Sequence, residues 1–330
     1  MRGVRRIVGL FTILASMAAF PSFAAECGPL TMVTSVPMRP IAGGPPGIDA
    51  LIADMRQTLL VDTGGVFSSV TKRTMRELNL KPAQSNVVTT NVRGQKSDQA
   101  VRLPSIAIGR LRQEGVNFHV DPAADNPDDK NPQAYGGTLG PDLLQRFDAD
   151  FDFANGNLNL VSPDHCKGKI VYWTAPAVAI VPIRVAQFGH VFFPMTLDGK
   201  RVAVLLDTGS TDTMMNLDAA RRVFNVNVNA PDVQKVGRIA GGSTANIYRR
   251  RFKKLELDGV VITDPLITLL PNTMGPPPAP PTGSFFWEND DLQGLPELTL
   301  GMSVLSKLHV YIAYKERKLY LSAGAPSPAP

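Results

Sequence analysis

Apolar and polar positions alternate in short stretches along most of this chain, and the same succession of stretches occurs twice. Residues 51–60 and 195–204 each read as strand, tight turn, strand, and Asp198-Gly199 is a strong two-residue hairpin signal. Each hairpin runs into the same tripeptide, Asp62-Thr63-Gly64 and Asp207-Thr208-Gly209, in a loop leaving the second strand. A segment of helical period follows each: residues 70–80, with Val70, Met75 and Leu78, and residues 216–224, with Leu217, Ala220 and Val223 on one face. Extended, glycine-containing stretches come next, 87–101 around Gly94 and 236–248 around Gly241-Gly242, and these predict hairpins. Further strands are expected at 105–108 and 255–262.

Both copies close on a similar block. The 23 residues from Thr138 align without a gap on those from Thr299, and six are identical, including Thr-Leu-Gly at the start. The blocks lie 161 residues apart and the tripeptides 145 apart, so the second copy holds about 16 additional residues between them. The obvious insertion is 271–296, with Pro276, Pro277, Pro278, Pro280 and Pro281, which reads as a semi-rigid surface loop. This duplication predicts two similar lobes, 25–166 and 167–323, followed by a Pro/Ala/Ser-rich tail at 324–330 expected to be disordered. A chain of 330 residues is long enough to give each lobe its own core. The 28 Gly and 28 Pro favour a mostly β protein of many turns and short helices, and 44% apolar with 19% charged residues excludes a disordered chain.

Charge changes the picture mainly at the N-terminus. Arg2, Arg5 and Arg6 precede an uncharged, mostly apolar stretch, and Ser22-Phe23-Ala24 offers the small residues a signal peptidase reads, so 1–24 reads as a signal peptide. An uncleaved anchor is the alternative, but the apolar stretch is shorter than the ~20 residues a spanning helix needs. Export, to a periplasm or beyond, with no stable membrane association after cleavage, is the expectation. The formal charge of +5 falls by three once these arginines are removed, which weakens any case for an acidic partner. One dense basic run remains, Arg249-Arg250-Arg251-Phe252-Lys253-Lys254; it reads as a charge-guarded edge strand rather than a nucleic-acid surface, since aromatics do not interleave it beyond Phe252. Cys27 and Cys166 are the only cysteines and lie at either end of the first copy, where a disulfide would tie its ends together in an oxidising compartment.

An apolar run into Asp-Thr-Gly, a hairpin, then an apolar pair and glycine (Leu139-Gly140, Leu300-Gly301) leading into a short helix resembles the layout of the aspartic proteases. The short repeats are closer to retropepsin-like bacterial proteases than to pepsin, with two copies in tandem where a retropepsin pairs two chains. The resemblance spans about 48–160 and 192–322. It implies a mostly β, two-lobed fold with an interlobe cleft, a polypeptide substrate, and a chain that works as a monomer rather than an obligate dimer. It implies that Asp62 and Asp207 form the catalytic pair, that Thr63 and Thr208 bond across the lobe junction, and that the hairpins near Gly94, Gly241 and Gly242 act as flaps.

The residue types suit that chemistry. Two carboxylates held close cannot both ionise easily, so the pair keeps a proton: one Asp takes a proton from water while the other protonates the substrate carbonyl, with no metal or other cofactor. Gly64 and Gly209, lacking Cβ, let the backbone turn tightly and approach the other lobe. Ser210 is expected to hydrogen-bond Asp207, whereas Gly65, its counterpart, has no hydroxyl to offer Asp62. That difference supports a second reading, an exported peptide-binding protein with an inactive protease-like fold. Other motifs carry less. His119, His165, His190 and His309 show no metal-ligand spacing, and the acidic stretch at 125–129 lacks the glycine and distant Glu of a calcium loop.

Overall fold

Tight turns set the repeating unit. The computed structural model describes residues 27–91, 95–123, 135–239, 245–271 and 296–325. Ala53 (φ 49°) and Asp54 (φ 62°) join strands Pro46–Ile52 and Met55–Val61, and Asp198 (φ 46°) and Gly199 (φ 77°) join Val191–Leu197 and Lys200–Leu206. Two successive positive-φ residues match the twist of flanking antiparallel strands, a conformation that Asp198-Gly199 favours and that Ala53-Asp54 adopts at some cost. The expected signal peptide, Gly94, Gly241, Gly242, nearly all of the Pro-rich insertion and the last five residues lie outside the described residues.

Each hairpin's second strand runs parallel to a short strand from the closing block of its own copy. Met55–Val61 pairs with Gly137–Leu139, and Lys200–Leu206 pairs with Leu298–Leu300. That short strand also pairs antiparallel with the strand following Asp-Thr-Gly, Ser69–Val70 in one copy and Met214–Asn216 in the other. The helices come next. Thr71 caps Lys72–Glu77 by accepting the Thr74 N–H at 3.1 Å, and Asn216 caps Leu217–Phe224 by accepting the Asp218 N–H at 2.8 Å. The first helix is shorter than the periodicity over 70–80 suggests, because Ser69–Val70 is drawn into the sheet. The extended stretches form antiparallel pairs, Pro82–Thr90 with Lys96–Ile108 and Val233–Arg238 with Asn246–Arg251.

The halves are joined through a common ladder. Leu308–Ala313 and Lys318–Ala323, from the second copy, extend the sheet of the first: His309 stands opposite Asp152 and Ile312 opposite Ala149. All six residues of Leu308–Ala313 are buried, and Leu308, Val310 and Ile312 join Phe151, Leu158 and Leu319 in the core. Polar groups cross the same seam: His309 Nε2 lies 2.6 Å from Asp150 Oδ1, and the Tyr311 hydroxyl donates to Asp148 at 3.2 Å. Cys27 and Cys166 form a disulfide with their Cα atoms 4.7 Å apart.

The basic run departs from its expected setting. Asn246–Arg251 is an inner strand, between Val233–Arg238 and Leu266–Leu270. Its charges are taken up locally: Arg249 by Asp212 at 2.6 Å, Arg250 by Asp232 at 2.9 Å, and Lys254 by Glu256 at 2.9 Å. Asp212 and Asp232 lie on other elements, so charge spacing alone could not reveal them, whereas Glu256 shares the strand of Lys254.

Candidate active site

The two Asp-Thr-Gly loops meet at the junction of the halves. Asp62 N–H donates to Leu139 O and Asp207 N–H to Leu300 O, each at 3.1 Å, which hangs both loops from equivalent points of their closing blocks. The threonines lock the loops together. Thr63 N–H donates to Thr208 Oγ1 at 3.1 Å and Thr208 N–H to Thr63 Oγ1 at 3.0 Å. Each hydroxyl then donates across the junction, Thr63 to Leu206 O at 3.0 Å and Thr208 to Val61 O at 2.7 Å. Both residues are fully buried, so every one of these polar groups depends on its partner.

Glycine is required at the third motif position. A Cβ on Gly64 would overlap the Asp207 carboxyl group, and one on Gly209 would overlap that of Asp62. Each carboxyl thus lies against the glycine of the opposite loop, and the two carboxyls are close enough for the charge of one to act on the other. Their backbone support is unequal. Asp62 Oδ1 accepts the Gly64 N–H at 2.9 Å and the Gly65 N–H at 2.8 Å, while Asp207 Oδ1 accepts the Gly209 N–H at 2.9 Å and takes weaker support from the Ser210 N–H.

Both residues are half-buried, open enough for water to reach and too enclosed to hydrate two charges well. Burial raises the Asp62 carboxyl above its ordinary range, while the Gly65 and Gly64 N–H groups oppose that rise. Burial and the nearby Asp62 charge push Asp207 up to about 7. Near neutrality, then, the pair retains a proton, and Asp207 is the member favoured to carry it.

Two sequence expectations need correction. The Ser210 hydroxyl donates to Asp212 O at 2.9 Å rather than to Asp207, and Ser210 supports Asp207 through its backbone N–H. Gly65 does not leave Asp62 unsupported, because its own N–H supplies the bond that a hydroxyl was expected to make.

Sequence reasoning missed a supporting layer behind each loop. Asp142 Oδ1 accepts both the N–H and the hydroxyl of Ser68, at 2.8 and 2.7 Å, and Ser68 Oγ accepts the Gly140 N–H at 3.0 Å. In the second copy Ser303 Oγ accepts the Thr213 N–H at 2.8 Å, and Thr213 Oγ1 accepts the Gly301 N–H at 3.2 Å. Ser68 and Thr213 share the 145-residue spacing of the aspartates, and Asp142 and Ser303 the 161-residue spacing of the closing blocks, so the repeat alignment held the signal. A cavity of about 350 Å³ flanks the second loop, lined by Met38, Pro40 and Gly44 from the first copy and Thr211, Asp212 and Ser303 from the second, among others. Among the described residues no group of His, Cys, Asp and Glu is arranged to hold a metal ion.

Comparison with known proteins bears on the family and the fold. An aspartyl protease family model matches residues 193–314, and a gag-polyprotein aspartyl protease model matches 48–146, so each copy of the repeat is matched separately. Among solved structures the chain is similar to Basic 7S globulin from soybean, with 12% identity, a TM-score of 0.51, and coverage of 89% of this chain and 95% of that one. It is also similar to the aspartic proteinase from Irpex lacteus, with 13% identity, a TM-score of 0.50, and coverage of 90% and 98%. At such identities the likeness is one of fold. No curated protein matches the sequence.

Proposed function

We infer that this chain, a retropepsin/pepsin-like aspartic protease by the family models of both its halves and by its fold, is an endopeptidase that hydrolyses peptide bonds with a water activated between Asp62 and Asp207. One observation carries the reading: two carboxyl groups brought together at the junction, each against the opposite loop's glycine, in a setting that favours a retained proton. Asp62, whose Oδ1 accepts two short backbone N–H bonds, suits the ionised role and takes a proton from the water. Asp207 carries the shared proton and delivers it to the substrate carbonyl oxygen as the tetrahedral intermediate forms. Breakdown reverses the roles, with a proton passing to the leaving amine. Both copies needed for the pair are present in one chain, which supports a monomeric catalyst.

The alternative of an inactive peptide-binding protein rested on the missing hydroxyl at Gly65. The Gly65 N–H bond to Asp62 removes most of that motive. An exported location remains part of the proposal, supported by the disulfide, which suits an oxidising compartment.

The test is cleavage of an unfolded protein substrate by the purified mature chain between pH 3 and 7, with and without a transition-state inhibitor of aspartic proteases. Cleavage that the inhibitor blocks and chelators leave intact is expected. Substrate binding without cleavage at any pH would favour the binding-protein reading.

A further inference from the structure

One difference between the two copies reaches across the junction to the opposite aspartate loop. In the first copy a turn at Ile41–Gly43 is closed by the Ile41 N–H donating to Pro45 O at 2.8 Å, and Gly44 behind it faces Thr211 of the opposite loop. In the second copy a matching turn at Gln187–Gly189 is closed by the Ala186 N–H donating to His190 O at 2.9 Å. Pro45 and His190 are separated by the same 145 residues as Asp62 and Asp207, so they occupy equivalent places. Proline offers the opposite loop neither a donor nor a charge. Histidine offers both: His190 Nε2 lies 2.6 Å from Gly65 O, in the loop whose N–H groups hold Asp62.

The surroundings fix this imidazole. Gly189 (φ 91°) packs against Pro141 and Gln145 of the first copy, and the Phe188 ring meets Phe67 at 4.9 Å. The only hydrogen-bonding role a carbonyl can take is acceptor, so Nε2 carries a hydrogen and donates it. A second proton, on Nδ1, then decides whether the ring is charged. Asp62 interacts with its charge, and the other charged or titratable groups on the packed elements are Asp207 in the second loop; Asp142, whose carboxylate is engaged by Ser68; His119, against Phe67; and Arg184, lying over Phe192, whose edge meets the His190 ring. The attraction between a charged His190 and Asp62 favours the ionised carboxylate.

We propose that His190 is a positioning residue for the Asp62 side of the pair: its Nε2–H holds the Gly65 loop in place, and its acid-form charge adds to the backbone N–H bonds that favour an ionised Asp62. The inference rests on the hydrolytic reading for its purpose but not for its measurement. It makes the enzyme's acid limit depend on a residue outside both Asp-Thr-Gly motifs.

The test compares His190→Gln, which keeps a donor for Gly65 O and loses the charge, with His190→Phe, which loses both. The primary readout is the titration of the ¹³C-labelled aspartate carboxyls by NMR, which needs no cleavage. In His190→Gln the pair's acid-side titration is expected to move up by about one pH unit, with the acid limb of kcat/KM following it. In His190→Phe the same displacement is expected, with a further fall in kcat that the Gln variant does not show. A wild-type chain that cleaves nothing while its carboxyl titration moves in His190→Gln would sink the hydrolytic reading and uphold this one. An unchanged carboxyl titration in His190→Gln would overturn the inference whatever the activity.

Discussion

Thr63 and Thr208 exchange their backbone and hydroxyl groups across the lobe junction, so that each hydroxyl accepts the other's N–H and donates to a carbonyl of the strand leading into the other's loop. The consequence is mechanical. The aspartate next to each threonine cannot shift without breaking bonds that belong to both halves.

Replacing Thr63 by Ala leaves the Thr208 N–H without its acceptor and Leu206 O without its donor, in a site closed to water. A loss of about 2–4 kcal/mol in stability is expected, with a marked fall in kcat. Thr63→Ser keeps the hydroxyl and should retain most of both. Guanidinium unfolding read alongside cleavage kinetics checks the pair; equal effects of Ala and Ser would assign the role to the methyl group instead.

Gly64→Ala and Gly209→Ala each drive a methyl group into the opposite carboxyl. The loops must part to accept it, so kcat/KM is expected to fall by at least ~100-fold, since small misplacements at a reacting centre cost about that much. A folded Gly64→Ala variant with wild-type turnover, verified by circular dichroism and steady-state kinetics, would show that the carboxyls do not need this closeness.

Asp207 predicts a pH-dependent stability. Its carboxyl is raised from an ordinary value of 3.8 to about 7 in the fold, so the native state binds the extra proton. The favourable contribution is complete below the unfolded value and is lost as pH rises through the folded one, between about 4 and 7. Asp207→Asn should therefore match the wild type near pH 4 and exceed it at pH 8 by roughly 3 °C or more in Tm. Thermal melts across that range decide it; a variant less stable at pH 8 would contradict the strained, buried carboxyl.

The disulfide spans a separation of 139 residues. On the chain-entropy model such a closure stabilises by about 4–5 kcal/mol. Reduction, or a double Ser replacement at Cys27 and Cys166, should lower the denaturation midpoint accordingly while leaving the pH dependence of cleavage in place. A midpoint that does not move would mean that the ends of the first copy are held by packing alone.

Much of this architecture was legible in the sequence because it was written twice. The hairpin turns, the apolar runs into Asp-Thr-Gly and the closing blocks each carry a local pattern, and comparing the copies separates that pattern from chance. The strands of 308–323 read equally well as strands, but nothing local says that they complete the other half's sheet, since pairing partners are chosen by burial across the whole molecule. The basic run misled for the same reason: Asp212 and Asp232 pair with Arg249 and Arg250 from other elements. His190 was seen only as an isolated histidine. Its meaning depends on a turn that reaches over to Gly65, and the sequence signal for it is faint, the replacement of Pro45 at the equivalent position of the repeat.

The central claim is that Asp62 and Asp207 act as one catalytic unit within a single chain. The most direct measurement is kcat/KM on a defined peptide for Asp62→Asn and Asp207→Asn at the wild-type pH optimum, with protein concentration varied to expose any pairing of chains. Loss of turnover in each variant, by about 1000-fold or more, and a wild-type rate proportional to protein concentration are the results expected. Cleavage undiminished in either variant would contradict the claim.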